Sequence, residues 1–226
     1  MSHVRRRRRR PDELRGEAIA AARTILLEDG PASVTLQSVA GALEMAHGSI
    51  THHFGSAANL QAALADALLA ELLSAVRSGT ADLRAGLIRE PELVDLVFDA
   101  FERNGSGRLI AWLAAQDGAR LATLYERFAR LPAELLDGEP AGAVLGPGDL
   151  PPFIAAIVIS AFGASLIGDG LSDALGLSRT FMRERLVDDL VGKRTAAALA
   201  TTSRRDGEDS ASAGPSPEPS TMPWPE

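Results

Sequence analysis

Leu14, Ala18, Ala21, Ile25 and Leu26 recur at helical intervals, and comparable spacing returns along almost the whole chain. Period-two alternation, the mark of a half-buried strand, is not found in the sequence. That one regularity restricts the chain to helix packed on helix. Composition agrees: apolar residues make up 46% of the chain but aromatics only 4%, so the core has to be built from Ala, Leu, Val and Ile. Sheets draw instead on β-branched and aromatic side chains. The expected fold class is all-α.

Punctuation divides the pattern into about nine helices. Pro11 with Asp12, Glu13 and Glu17 suits a first turn, and Gly30-Pro31 ends that helix. Thr35 caps a short helix carrying Leu36, Val39 and Ala40, a break falls at Leu43–Met45, and a second short helix carries Ile50 and Phe54. Gly55-Ser56 starts a longer helix with Leu60, Leu64, Leu68 and Leu72, reaching about Val76. Further segments span Leu93–Phe101 and Gly107–Leu131, the latter with a possible split at Gly118, before a loop over 132–150. Pro152 opens an apolar helix to about Gly168, and a last helix spans Ser178–Ala200. The expected organisation is a basic flexible arm over 1–10, a small helical domain over 11–55, a larger helical domain over 56–200, and a disordered tail over 201–226.

Charge is unevenly placed. Residues 1–60 sum to +2 and residues 61–226 to −9, with six Arg in one run, Arg5–Arg10. A basic end on an acidic body points to a local anionic partner; a solvated tail is the plainer reading of the run alone. No apolar stretch follows the Arg run as a secretory signal requires. The apolar run Phe153–Ile167 is shorter than the ~20 residues of a membrane span. With no cysteine, the chain reads as a cytoplasmic protein without a membrane partner.

The stretch Thr35–Phe54 carries the functional signal. Two short helices joined by a tight turn set the second across the first, which is how a helix-turn-helix offers a helix to the major groove. On a wheel of about 100° per residue, Ile50, Phe54 and His53 share an inward arc, while Gly48, Ser49 and His52 lie opposite with Thr51 on their flank. Small, hydrogen-bonding side chains on such a face can approach base edges.

These residues resemble the TetR family of transcriptional regulators. The likeness is carried by Thr35-Leu36-x-x-Val39-Ala40, then Gly48-Ser49-Ile50, His53-Phe54 and Leu60, and the helical layout extends it over about residues 11–200. It implies a homodimeric repressor of a double-stranded DNA operator, with residues 11–55 as a helix-turn-helix DNA-binding domain and residues 56–200 as an effector-binding and dimerisation domain that holds a small-molecule pocket and dimerises through its last two helices. The DNA contacts it points to are Thr35, Gln37, His47, Gly48, Ser49, Thr51 and His52, joined by Arg8, Arg9 and Arg10 of the arm. Four positions depart from the family pattern. Glu44 stands where the turn usually has Gly, Ala46 where a capping Ser is usual, Thr51 in place of a Tyr, and Ala57 in place of a Lys. A helical ligand-binding or interaction protein that kept the fold and lost DNA binding is the alternative.

Five of the ten aromatics fall between Phe98 and Phe128. Phe98, Phe101, Trp112, Tyr125 and Phe128 fit a plain core or, with Gln116, an effector pocket. Ala156, Ser160, Gly163 and Ala164 form a small-residue strip that can meet Leu186, Leu190 and Val191 across a two-fold axis or simply pack within one chain. His47, His52 and His53 spread around their helix, so no metal site is expected, and no motif calls for a cofactor. No nucleophile is paired with a base and no glycine cluster follows a strand, which argues against an enzyme.

Overall fold

The computed structural model describes residues 11–136 and 145–212; the Arg5–Arg10 run and residues 213–226 lie outside them. Among the described residues there is no strand, and the chain forms α1 (Pro11–Asp29), α2 (Leu36–Ala42), α3 (His47–Phe54), α4 (Ala57–Arg84) and α5 (Glu90–Glu102). There follow α6 (Ser106–Gln116), α7 (Ala122–Leu136), α8 (Leu150–Gly163), α9 (Asp169–Leu175) and α10 (Phe181–Ser212). A π-turn, Ala164–Gly168, makes α8 and α9 one rod from Leu150 to Leu175, so among the described residues the count is nine if that rod is one helix.

Two apolar cores form, and α4 belongs to both. Leu60, Leu64 and Leu68 join Leu26, Val39, Ile50 and Phe54 in the N-terminal core. Leu69, Leu72, Leu73 and Leu83 join Phe98, Leu131, Phe153 and Leu190 in the C-terminal one. Helix α6 also reaches the first core, through Leu109 and Leu113. Buried Gln61 donates from Nε2 to the Val34 carbonyl at 3.1 Å, pinning α4 to the turn after α1.

Four element ends differ from those expected. Helix α4 continues past Val76 to Arg84, because Gly79 seats against α5: a Cβ there would lie 3.0 Å from Leu93 Cδ1. Helix α7 runs through Pro132 to Leu136, where Leu131 and Leu135 hold it in the core. Asp169–Leu175 is helical rather than part of a connection, ending at Gly176 in the left-handed region. Helix α10 extends beyond Ala200, so residues 201–212 of the segment read as disordered are helical. The expected split at Gly118 is real: Asp117 is extended, and a 3-10 turn over Gly118–Leu121 leads into α7.

Ion pairs fasten α10 to α5. The Arg183 guanidinium reaches Asp95 at 2.6 Å, Asp99 at 3.0 Å and Glu102 at 2.6 Å, and lies over the Phe98 ring. Burial works against its charge, but hydrogen bonds to the three carboxylates outweigh this and raise its pKa above the usual range. Arg194 pairs with Glu90 further along the same contact.

Candidate functional site

The α2–turn–α3 unit is locally over-determined at its start. Thr35 Oγ1 accepts from the Ser38 N–H at 3.0 Å while Ser38 Oγ accepts from the Thr35 N–H at 3.0 Å, a reciprocal cap that fixes where α2 begins. The turn is less favoured. Glu44 has φ 51°, and among the described residues it is the non-glycine residue with positive φ. Ala46 precedes α3 with extended backbone and no side-chain cap, as its methyl dictates. Tertiary contacts supply what the turn lacks. Ile50 and Phe54 of α3 are buried, and the Arg15 guanidinium of α1 lies 5.2 Å from the Phe54 ring centroid.

That anchoring leaves the opposite face of α3 open. His47, Gly48 and His52 are exposed, Ser49 and Thr51 are half-exposed, and nothing stands within 4 Å of where a Gly48 Cβ would be. Thr51 Oγ1 donates back to the His47 carbonyl at 3.0 Å, so it presents mainly its methyl and lone pairs. The His52 and His53 rings meet edge-on with centroids 5.8 Å apart. On α2, Gln37 is exposed and Thr35, engaged in its cap, is half-buried. The structure therefore brings His47, Gly48, Ser49, Thr51 and His52 onto one helix, with Gln37 exposed on the helix before it. Arg8, Arg9 and Arg10 lie outside the described residues. Helix α3 carries no Lys or Arg.

The aromatic set does not share one pocket: Phe101 and Phe128 border a cleft of about 10 Å³ between α4, α5, α6 and α7, and the other members stand apart from it. Phe98 and Phe101 are buried core residues, Gln116 and Tyr125 are exposed, and Trp112 is half-buried with an indole N–H that has no hydrogen-bond partner among the described residues. Only Phe128 of this set borders the apolar cavity of about 60 Å³ that lies between α4, α5, α7, α8 and α10. Leu73, Val76 and Thr80 line it from α4, with Val97, Leu131 and Phe153 from the other walls. Sequence reasoning missed these residues because leucines and valines at helical spacing read as filled core.

The residues read as a dimer face also divide. Ala156 and Val191 are exposed, and Ser160, Gly163 and Ala164 are half-exposed. Leu186 and Leu190 are buried, which corrects their assignment: their side of α10 packs into the chain's own core beside α5, where Arg183 and Arg194 hold it. The open apolar side is wider than expected, with Ile159, Ile167, Leu171, Leu175 and Met182 all exposed. On length and composition, Ala57–Arg84 and Leu150–Leu175 could each cross a bilayer; only 22% of the second's most apolar window is buried inside the chain.

An exposed helix-turn-helix carried on a helical bundle with an internal cavity defines the architecture, and comparison with solved structures agrees. The fold is TetR-like. The chain superposes on the multidrug binding protein EbrR, crystallised with imidazole, with a TM-score of 0.56 and 19% identity over 78% of this chain and 94% of that one. It is also similar to SCO4942 of Streptomyces coelicolor, provisionally assigned as a transcriptional regulator, with a TM-score of 0.49 and 25% identity over 78% of this chain and 95% of that one. No family model matches the sequence, and no curated protein is significantly similar to it.

Proposed function

We propose that this chain is a one-component transcriptional regulator that represses by binding a near-palindromic operator as a homodimer and is released by a small effector. The carrying observation is the open face of α3: Ile50 and Phe54 are buried, while His47, Gly48 and His52 stand exposed with Ser49 and Thr51 at their edges. A helix anchored on one side and lined with small polar groups on the other can enter a major groove closely. Gln37 and the capped N-terminus of α2 are suited to the adjoining phosphate backbone. The Arg8–Arg10 arm supplies the cations that α3 lacks. The second copy covers the apolar outer side of the Leu150–Leu175 rod and Val191, since so much exposed apolar surface marks an interaction site. Such a protein works in the cytoplasm.

Release follows a population shift: an effector that fits one conformation better lowers DNA affinity by that difference. Helix α4 is the lever, because its two halves sit in the two cores. Selection of bound sequences from random duplexes tests the whole reading. A palindromic consensus is expected, with binding that weakens steeply as salt rises and a shallower slope when Arg8, Arg9 and Arg10 become Ala. The second reading, a ligand-binding protein without DNA affinity, is favoured by the cation-free α3 and its missing cap; no enriched sequence would establish it. An unenriched chain that partitions onto lipid vesicles would reassign the apolar rod to a membrane.

A further inference from the structure

We propose that the cavity between α4, α5, α7, α8 and α10 is the effector site and that it admits neutral, hydrocarbon-rich molecules while rejecting charged ones. The binding claim stands on the cavity alone; only its effect on DNA rests on the regulator reading. Among the described residues Thr80 contributes the sole polar side chain of the lining, and its hydroxyl already donates to the Val76 carbonyl at 2.7 Å. Every other lining side chain is aliphatic or phenyl. An ion entering such a space loses its hydration and gains no partner. Three charged groups on the surrounding helices are engaged elsewhere: Arg77 with Glu134 at 2.6 Å, Arg84 with the Leu135 carbonyl, and Arg194 with Glu90.

Size sets the coupling. An apolar cavity of about 150 Å³ is the scale that holds benzene, and this one is about 60 Å³. A ring-sized guest therefore has to widen the walls. One wall is the α4 stretch Leu73–Thr80, continuous with the turns that bury Leu60 and Leu64 in the N-terminal core. Occupancy and the pose of the helix-turn-helix thus share one rigid element.

Toluene, benzoate and benzylamine differ in charge on nearly the same frame, so the full chain is melted and titrated with each, without DNA. Toluene raises Tm with concentration, while the two ions at equal concentration do not. Val76→Phe, which fills the space from a half-buried edge, weakens toluene about tenfold, and Leu131→Ala, which enlarges it, shifts preference toward naphthalene by about tenfold. Benzoate or benzylamine binding as tightly as toluene overturns the proposal, as does full toluene affinity in Val76→Phe or no shift in either wild type or Leu131→Ala. Repeating the titration with the selected duplex separates the two ideas. Toluene that binds without changing duplex affinity overturns the coupling alone; a chain that takes toluene but no duplex overturns the regulator reading alone.

Discussion

Replacing Glu44 with Gly tests the turn on which the open face of α3 depends. Glu44 sits at φ 51°, where a Cβ crowds the backbone at a cost of about 1–2 kcal/mol. Its side chain is exposed, and its backbone N–H donates to the Gly41 carbonyl at 3.0 Å, a bond that survives the substitution. Glycine removes the crowding but enlarges the unfolded ensemble by about 0.5–1 kcal/mol. The net expectation is a stabilisation of about 0.5–1 kcal/mol, or roughly 1–4 °C in Tm for a chain of this size. Glu44→Ala is the control, because it removes the same charge and keeps the strained backbone. Thermal and urea melts of the three proteins decide the matter. If Glu44→Gly is no more stable than Glu44→Ala, the turn is not strained as described, and the tertiary anchoring of α3 needs another explanation.

Arg183→Met leaves Asp95, Asp99 and Glu102 facing one another without their cation. Breaking a buried pair costs several kcal/mol, and discounting for partly exposed carboxylates leaves about 2 kcal/mol, measured by urea melts and partly recovered by Asp99→Asn. Gly107→Ala places a Cβ 2.0 Å from Ser165 Oγ and should destabilise by about 1–3 kcal/mol, with Ser165→Gly in the same chain restoring most of the loss. The Asp173 carboxyl is held below its usual pKa by its hydrogen bond from Arg179. A depressed carboxylate contributes stability above its unfolded pKa and loses it as pH falls through the folded one. Wild type should therefore exceed Asp173→Asn in Tm at neutral pH, and the gap should close in acid below the ordinary carboxylate range.

What could be read from the sequence was whatever a few neighbouring residues decide. Thr35 and Ser56 each cap the helix they precede, and the break at Leu43–Met45 falls between α2 and α3. The strain at Glu44 followed from a residue standing where a glycine fits. Features set by distant partners were not legible. Gly79 looks like a helix weakness until Leu93 is known to need its missing Cβ. Leu186 and Leu190 carry the same apolar signal whether they meet a second copy or α5. The cavity was the hardest to foresee, because a void is a mismatch among five helices and no single side chain announces it.

Helix α4 also bears on how such a chain can be recombined. Leu68 lies in one core and Leu69 in the other, so the boundary between them crosses an unbroken helix with no loop to cut. A chimaera that joins this N-terminal unit to a different helical bundle has to splice inside that rod. Each residue inserted or deleted at the seam rotates everything beyond it by about 100°. Only joints that preserve the helical phase will leave both halves facing their own leucines, and a splice one residue out of step should give an insoluble product rather than a weakened one.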